Sequence, residues 1–177
     1  MAENTDRPLP NVTNLTDGVD IVHNVYDQPG VDTAEGRVGM LLQGEDVQSQ
    51  FIEMPGGLYM DEHAHETESI IVTLRGEWVL CARGEREHVT AGDVFWFGPG
   101  VPTGYEVPFD DDAFILIFKG TKTENSPEEF VSYLQNEVPG LVEEEREDGA
   151  VFSFEELDDD HAAVEFARGL DGATYPE

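Results

Sequence analysis

The residues best suited to chemistry lie in one short segment, Gly57–Ser69, which carries His63 and His65 among acidic neighbours. Side chains at positions i and i+2 of a β-strand point to the same face, so this spacing predicts two imidazoles side by side. Adjacent imidazoles are common ligands of Fe, Mn, Ni, Cu and Zn. The residues alone leave two alternatives open. The imidazoles are uncharged and hydrogen-bonded inside the fold, or they transfer protons without a metal.

The elements that must hold this segment are predicted to be short β-strands. From about residue 19 to residue 119, β-type runs alternate with turns rich in Gly, Pro and Asp. The runs are Val19–Tyr26, Gly39–Leu42, Gln48–Glu53, Ser69–Leu74, Trp78–Ala82, Val94–Phe97 and Ala113–Phe118. Short strands at such regular spacing are typical of an all-β sandwich or barrel.

Two motifs along these strands occur in register with each other. The first consists of Gly57, His63, His65 and Gly76, and the second consists of Gly92, Gly98-Pro99-Gly100 and Thr103. Together they resemble the two motifs of the cupin family, with a compact spacing of 15 residues between Gly76 and Gly92. The resemblance implies an all-β, cupin-type antiparallel β-barrel, jelly-roll-like and open at one end.

Three regions are expected along the chain. Residues 1–35 form an N-terminal arm and edge strands, 36–120 the cupin barrel, and 121–177 an acidic helical extension. In that extension, Ser126–Glu129 is a capping box that predicts the start of a helix, and Pro139-Gly140 is expected to end it. The apolar face of this helix comprises Phe130, Val131, Leu134 and Val138. A second helix is predicted over Asp160–Arg168. Both helices are expected to pack outside the barrel, and the charged run Glu143–Asp148 is expected to be a solvated loop.

The resemblance also implies a metal site, with departures from the family pattern. Cupins usually bind a metal through the two histidines of the first motif, its Glu or a Gln in that place, and a histidine of the second motif. Here the third position falls on Ser69, with Glu68 one residue away, and the fourth falls on Thr103. The predicted ligands are therefore His63, His65 and Glu68, which form a two-histidine, one-carboxylate set for a divalent transition metal such as Fe, Mn, Ni or Zn. Glu68 reaches such a metal only if a turn or bulge redirects its side chain.

The function implied by the resemblance is chemistry on a small organic molecule, of the oxygenase, isomerase or decarboxylase type. His63 and His65 are the candidate catalytic residues, with Tyr105 as an acid. Glu62 and Glu66 flank the histidines and are candidates for orienting them. Four aromatic residues are candidates for lining the barrel mouth: Tyr59, Trp96, Phe97 and Tyr105. The alternative is a ligand-binding or sensor cupin that has no catalytic activity and no metal. The family also implies a homodimer.

The charge balance restricts the partners of this chain. It has 39 acidic residues against 9 basic ones, a net charge of −30, and the acids are spread, with 17 in residues 121–177 and 22 before them. This distribution disfavours a disordered acidic tail and favours a halophile's surface, because molar salt shortens the Debye length to about 3 Å and screens the repulsion. Nucleic acid is not an expected partner, since its phosphates are repelled.

The remaining sequence features predict a cytoplasmic location. The single cysteine, Cys81, excludes an intrachain disulfide and a cysteine zinc cluster. Residues Met1–Asn11 lack the apolar segment of a secretory signal. No apolar stretch approaches the 18 residues of a membrane span, so no membrane association is expected.

Overall fold

The computed structural model describes residues 11–120 and 126–175, in which the chain forms twelve β-strands and three α-helices. The first six strands are β1 Val12–Thr16, β2 Val19–Val22, β3 Val31–Thr33, β4 Gly36–Gln43, β5 Gln48–Met54 and β6 Tyr59–Ala64. The others are β7 Ser69–Arg75, β8 Glu77–Ala82, β9 Glu85–Thr90, β10 Val94–Phe97, β11 Pro102–Glu106 and β12 Ala113–Lys119. The helices are α1 Pro127–Asn136, α2 Val138–Glu147 and α3 Ala162–Ala167.

Ten of the strands form two antiparallel sheets. One sheet has the order β10-β7-β12-β5-β4-β3 and the other has the order β6-β11-β8-β9. Successive strands such as β6 and β7 lie in different sheets, so the chain passes repeatedly from one sheet to the other, as it does in a jelly roll. Strands β1 and β2 form a separate hairpin. The predicted all-β, jelly-roll-like fold is therefore confirmed.

A single apolar core fills the space between the two sheets. The six-stranded sheet contributes Ile71 and Ile115 to it, and the four-stranded sheet contributes Trp78 and Tyr105. All four side chains are buried. The indole N–H of Trp78 donates to Thr73 Oγ1 at 2.9 Å, so the polar atom of this buried aromatic residue is paired.

The C-terminal helices pack against the outside and the open end of this barrel. Ser126 caps α1, since its Oγ accepts a hydrogen bond from the Glu129 N–H at 3.2 Å, as the sequence predicts. Phe130 and Leu134 are the buried residues of α1 and join the barrel core. Helix α3 packs with Tyr59 on the outer face of the four-stranded sheet. The predicted fold class, with helices added after the strands, is confirmed.

The ends of the helices differ from the prediction. Pro139-Gly140 does not end the helical segment, because α2 begins at Val138 and carries the proline in its first turn. A proline is tolerated there because the first N–H groups of a helix have no intrahelical acceptor. Most of Glu143–Asp148 is consequently an exposed stretch of α2 and not a loop. Helix α3 is shorter than predicted, and His161 is its N-cap.

Within residues 11–120 and 126–175, no helix is both long enough and apolar enough to cross a membrane.

Candidate functional site

An irregularity in β6 decides where the two histidines point. Met60 and His63 pair with residues of β11 that are separated only by Gly104, so two residues of β6 lie opposite one of β11. This arrangement is a β-bulge, which redirects the side chains that follow it. A Cβ atom at Gly104 would lie 2.7 Å from the Met60 carbonyl oxygen, so a residue without a side chain is required there. His63 and His65 consequently face the inside of the barrel, as Met60 does.

The two imidazoles are close neighbours. Their ring centroids are 4.6 Å apart with an interplanar angle of 75°. His63 Nδ1–H donates to the Asp61 carbonyl oxygen at 3.2 Å, which fixes the orientation of the ring. Burial, together with the charges of His63 and Lys119, lowers the pKa of His65 to about 4. The imidazole of His65 is therefore uncharged at neutral pH.

Both histidines line spaces inside the barrel mouth. A cavity of about 220 Å³ lies under α1 and includes His65 in its wall. A neighbouring space of about 450 Å³ is lined by His63 and His65 and extends to α2. The apolar wall of the smaller cavity includes Ile52, Ile71, Phe97, Ile117, Phe130 and Leu134. An apolar cavity with a few polar groups is the usual form of a small-molecule site.

Tyr105 lies in the wall of the smaller cavity, as predicted for a residue of the mouth. Its ring stacks on Trp78 with a centroid distance of 5.3 Å and lies 6.5 Å from the ring of His63. Burial raises the pKa of Tyr105 well above its ordinary value of 10. The phenol therefore keeps its proton at physiological pH and acts as a hydrogen-bond donor.

Glu68 does not join the imidazoles. Its Oε2 accepts a hydrogen bond from Trp96 Nε1–H at 2.8 Å, and both residues are exposed. Ser69 and Thr103 occupy the other two family ligand positions, and neutral hydroxyls are poor ligands for these metals. Among the described residues, no group of three or more His, Cys, Asp or Glu is arranged to hold a metal ion. These donors do not fit a cupin-type transition-metal site. The three-ligand set stays a prediction, of which the structure brings only the imidazoles together.

Tyr59 faces away from the mouth and belongs to a polar group beneath α3. We call this group the outer cluster, and its members are Tyr59, Asp61, Arg86, Glu106 and His161. Tyr59 donates to Asp61 Oδ1 at 2.6 Å, and Arg86 binds both carboxylate oxygens of Glu106 at 3.0 and 3.2 Å. Within the described residues, no buried side-chain nitrogen or oxygen of the outer cluster lacks a partner.

Three other candidates, Phe97, Trp96 and Glu62, lie in different environments. Phe97 lines the smaller cavity, as expected, whereas Trp96 is 62% exposed on the outer face of its strand. Glu62 does not orient a histidine. It accepts hydrogen bonds from the Cys81 thiol at 2.9 Å and from two backbone N–H groups of the β8–β9 turn at 2.6 and 2.7 Å. Glu62 therefore stabilises that turn.

Five polar residues in the wall of the smaller cavity were not predicted from the sequence: Thr33, Glu35, Gln50, Lys119 and Tyr133. The inward direction of Gln50 could have been predicted, because Gln50, Ile52 and Met54 are alternate residues of one strand and so share a face. Glu35 lies in the turn between β3 and β4, where no periodicity exists to indicate its direction.

The chain is similar to a known family and to several solved structures over about half of its length. Residues 51–136 match the family model described as the AraC-like ligand binding domain, a range that includes the site and α1. An RmlC-like cupin from Shewanella frigidimarina is similar, with 23% identity, a TM-score of 0.46, and coverage of 50% of this chain and 78% of that one. KdgF from Halomonas sp. has 18% identity, a TM-score of 0.45, and coverage of 49% and 80%. The DMSP lyase DddQ from Ruegeria pomeroyi has 22% identity, a TM-score of 0.46, and coverage of 56% and 53%. No curated protein matches the chain.

Two facing antiparallel sheets with a lined cavity at one end define the class as a jelly-roll barrel with an internal site for a small molecule. The fold is that of a cupin-type antiparallel barrel, and the family model that matches residues 51–136 is a ligand-binding one.

Proposed function

We propose that this cupin binds a small organic molecule in the barrel mouth, between the two histidines and α1. The observation that carries the proposal is the cavity of about 220 Å³, whose wall combines apolar side chains with the His65 imidazole and the Tyr105 phenol. Such a wall gives a ligand apolar contact area and a few fixed hydrogen bonds. The description of the matched family as ligand-binding supports the same function.

The donor set favours binding without a metal. The Glu68 carboxylate is engaged by Trp96 outside the barrel, and hydroxyl residues stand at the other two family ligand positions. A ligand in this cavity therefore meets the His65 imidazole, the Tyr105 phenol and apolar walls, with the His63 imidazole in the neighbouring space. Elemental analysis of the purified protein tests this arrangement, and we expect clearly less than one equivalent of transition metal. One equivalent that disappears in the His63→Ala, His65→Ala double variant would restore the predicted metal site.

An enzyme acting on a small organic substrate is the second candidate, and the imidazole pair favours it. The ring of His63 lies 4.6 Å from the neutral ring of His65. A neutral imidazole accepts a proton from a bound substrate, and the Tyr105 phenol donates a hydrogen bond to the developing charge. Isomerisation is one reaction type that such proton transfers support.

Binding is tested with a library of small fragments, detected by ligand-observed NMR and by thermal shift. Leu134 is 6% exposed and faces the cavity, so Leu134→Trp fills the space and is expected to abolish binding of the hits. The matched control is Val131→Trp, on the same helix but 36% exposed, which is expected to leave binding unchanged. Hits that bind both variants equally would place the binding site elsewhere.

The His63→Ala, His65→Ala double variant provides a second test if Leu134→Trp folds poorly. We expect weaker binding of the hits, because one wall of the mouth is lost. Turnover separates the two candidate functions. Each hit is incubated with the protein and recovered, and a new product that no longer forms in His63→Ala identifies an enzyme, whereas unchanged ligand identifies a binding module.

A further inference from the structure

The inner wall of the six-stranded sheet carries buried polar groups that have no partner. Gln50 is 4% exposed and Ser69 is 0% exposed. Gln50 Nε2 and Ser69 Oγ make no hydrogen bond within the described part of the chain. Folded proteins pair nearly all such groups with protein or ordered water. Two unpaired donors in the wall of one cavity therefore indicate that something else occupies the cavity.

The strand register brings these donors near a positive charge. Lys119 of β12 pairs directly with Ser69 of β7, and it lies two residues beyond Ile117, which pairs with Gln50 of β5. On one face of a sheet, direct and diagonal neighbours have Cβ atoms about 4.5–8 Å apart. All three polar side chains line the same cavity, so they form one hydrogen-bonding patch, which we call the donor patch.

The charges around the cavity are separated along the strands. The Lys119 ammonium acts on His65, where it helps to lower the pKa of that imidazole, so its field reaches the lumen. Glu35 also lines the cavity. It lies two residues before Arg37 of β4, and Arg37 pairs with Glu53. Glu53 lies near the end of β5 that is farther from the donor patch. From Glu53 to Gln50 the strand advances about 10 Å. The backbone of the segment that carries Glu35 is therefore separated from the donor patch along the strands of this sheet.

We propose that the lumen binds a small carboxylic acid in its ionised form, with the carboxylate on the donor patch of Ser69, Gln50 and Lys119. This inference rests on the proposed binding function and names the class of ligand. A carboxylate offers about four acceptor sites, which suits one hydroxyl, one amide and one ammonium donor. Hydrogen bonds to an ionised acceptor are about twice as strong as neutral ones. The neutral imidazole of His65 can accept a hydrogen bond from a polar substituent on the acid.

The cavity also limits the size of the acid. Its volume of about 220 Å³ lies below the ~300–1,000 Å³ typical of pockets for drug-sized ligands. Ile71, Phe97 and Leu134 surround the remaining space with apolar surface. The part of the ligand that lies in this cavity is thus a short acid with a compact apolar body, and a larger substituent extends into the neighbouring space beyond His65.

Matched pairs of probes test the inference: benzoate with benzamide, and hexanoate with hexanamide. Binding is measured by calorimetry at pH 7 in 1 M KCl, where a Debye length of about 3 Å screens the net charge of the protein. We expect each acid to bind at least tenfold more tightly than its amide. Ser69→Ala and Gln50→Leu are each expected to weaken acid binding about tenfold, with little effect on the amide.

Gln43→Leu is the matched control for Gln50→Leu, because it replaces a glutamine amide of the same sheet that does not line this cavity. It is expected to leave acid binding unchanged. Equal affinities for acid and amide would overturn the carboxylate assignment while leaving the binding function intact. Acid affinity that is unchanged in Ser69→Ala and Gln50→Leu would overturn it too. A crystal soaked in benzoate that shows only ordered water on the donor patch would also overturn the assignment. The binding function itself fails only if no fragment responds to Leu134→Trp.

Discussion

The lumen lies inside the barrel and the outer cluster lies on its outside. The two regions differ in how their buried polar groups are hydrogen-bonded. In the outer cluster, Arg86 and Glu106 satisfy each other, and Tyr59 is paired with Asp61. In the lumen, Gln50 is buried just as fully, and its amide nitrogen has no partner in the described residues. A satisfied network stabilises the fold by itself, whereas an unsatisfied one needs an additional molecule. The unpaired donors of the lumen, and not the charged residues of the outer cluster, are therefore the reason for placing the proposed ligand inside the barrel.

Breaking the outer cluster should have the largest effect on stability. The side chains of Arg86 and Glu106 are only 10% and 1% exposed. Arg86→Leu leaves the Glu106 carboxylate buried without its partner, a change that typically costs about 3–5 kcal/mol of unfolding free energy. Because the lone carboxylate must take up a proton, the loss should grow as the pH rises above the ordinary pKa of 4.5. Urea denaturation at pH 5 and pH 8 measures both effects. A loss below 1 kcal/mol would mean that the cluster is not a stabilising network.

Acid should destabilise the lumen through His65, by a smaller amount. Its pKa is about 4 in the fold against an ordinary value of 6.5. Between these values the unfolded chain binds a proton that the folded chain does not, so the free energy of unfolding falls as the pH drops from 6.5 to 4. Because many carboxylates titrate in the same range, the quantity to measure is the difference between the protein and its His65→Asn variant. An NMR titration of His65 with a midpoint near 6.5 would contradict the burial of this ring.

Removing one hydroxyl from the outer cluster should have a modest effect. Tyr59→Phe deletes the donor to Asp61, a hydrogen bond of 2.6 Å, and leaves the ring packed against Phe154. Hydrogen bonds to charged groups contribute about 1.5–3 kcal/mol when buried, and the exposure of Asp61 to water reduces this to about 1 kcal/mol. Thermal or urea unfolding measures the change. A neutral result would show that solvent replaces this bond fully.

The smallest effect on stability is expected at the lumen wall itself. Gln50→Leu replaces an amide whose nitrogen is unpaired by an apolar group of similar size, so the free energy of unfolding should change by less than about 1 kcal/mol or should increase. The same variant is expected to lose affinity for the acid probes. Gln50→Leu is thus expected to weaken binding without lowering the free energy of unfolding, whereas Arg86→Leu is expected to lower the free energy of unfolding. A loss of several kcal/mol in Gln50→Leu would indicate that the amide is part of a structural network.

The sequence predicted the scaffold better than the contents of the barrel. Strand alternation was sufficient for the sheet fold, and the His63/His65 spacing was sufficient to place the two imidazoles on one face. Their inward direction was an expectation from the resemblance to cupins. The partners of side chains that contact a strand distant in sequence could not be predicted from local pattern. Glu68 was assigned to a metal, but its partner Trp96 lies on β10, and only the strand pairing brings the two together. Pro139 was expected to end a helix, because nothing local shows that the next helix begins one residue earlier.

The bulge opposite Gly104 sets the parity of β6, that is, whether odd-numbered or even-numbered residues face inwards. Tyr59 and His63 are both odd, yet they lie on opposite faces, because the extra residue changes the parity between them. A sequence read as an uninterrupted strand would place Tyr59 and the two histidines together. Deleting Asp61 alone would remove the extra residue and restore uniform alternation, with both imidazoles still facing inwards and Tyr59 still facing outwards. Regular pairing of β6 with both Asp61 and Glu62 retained would instead turn the imidazoles towards solvent. The orientation of the two histidines therefore depends on this one extra residue as much as on the chemistry of the side chains.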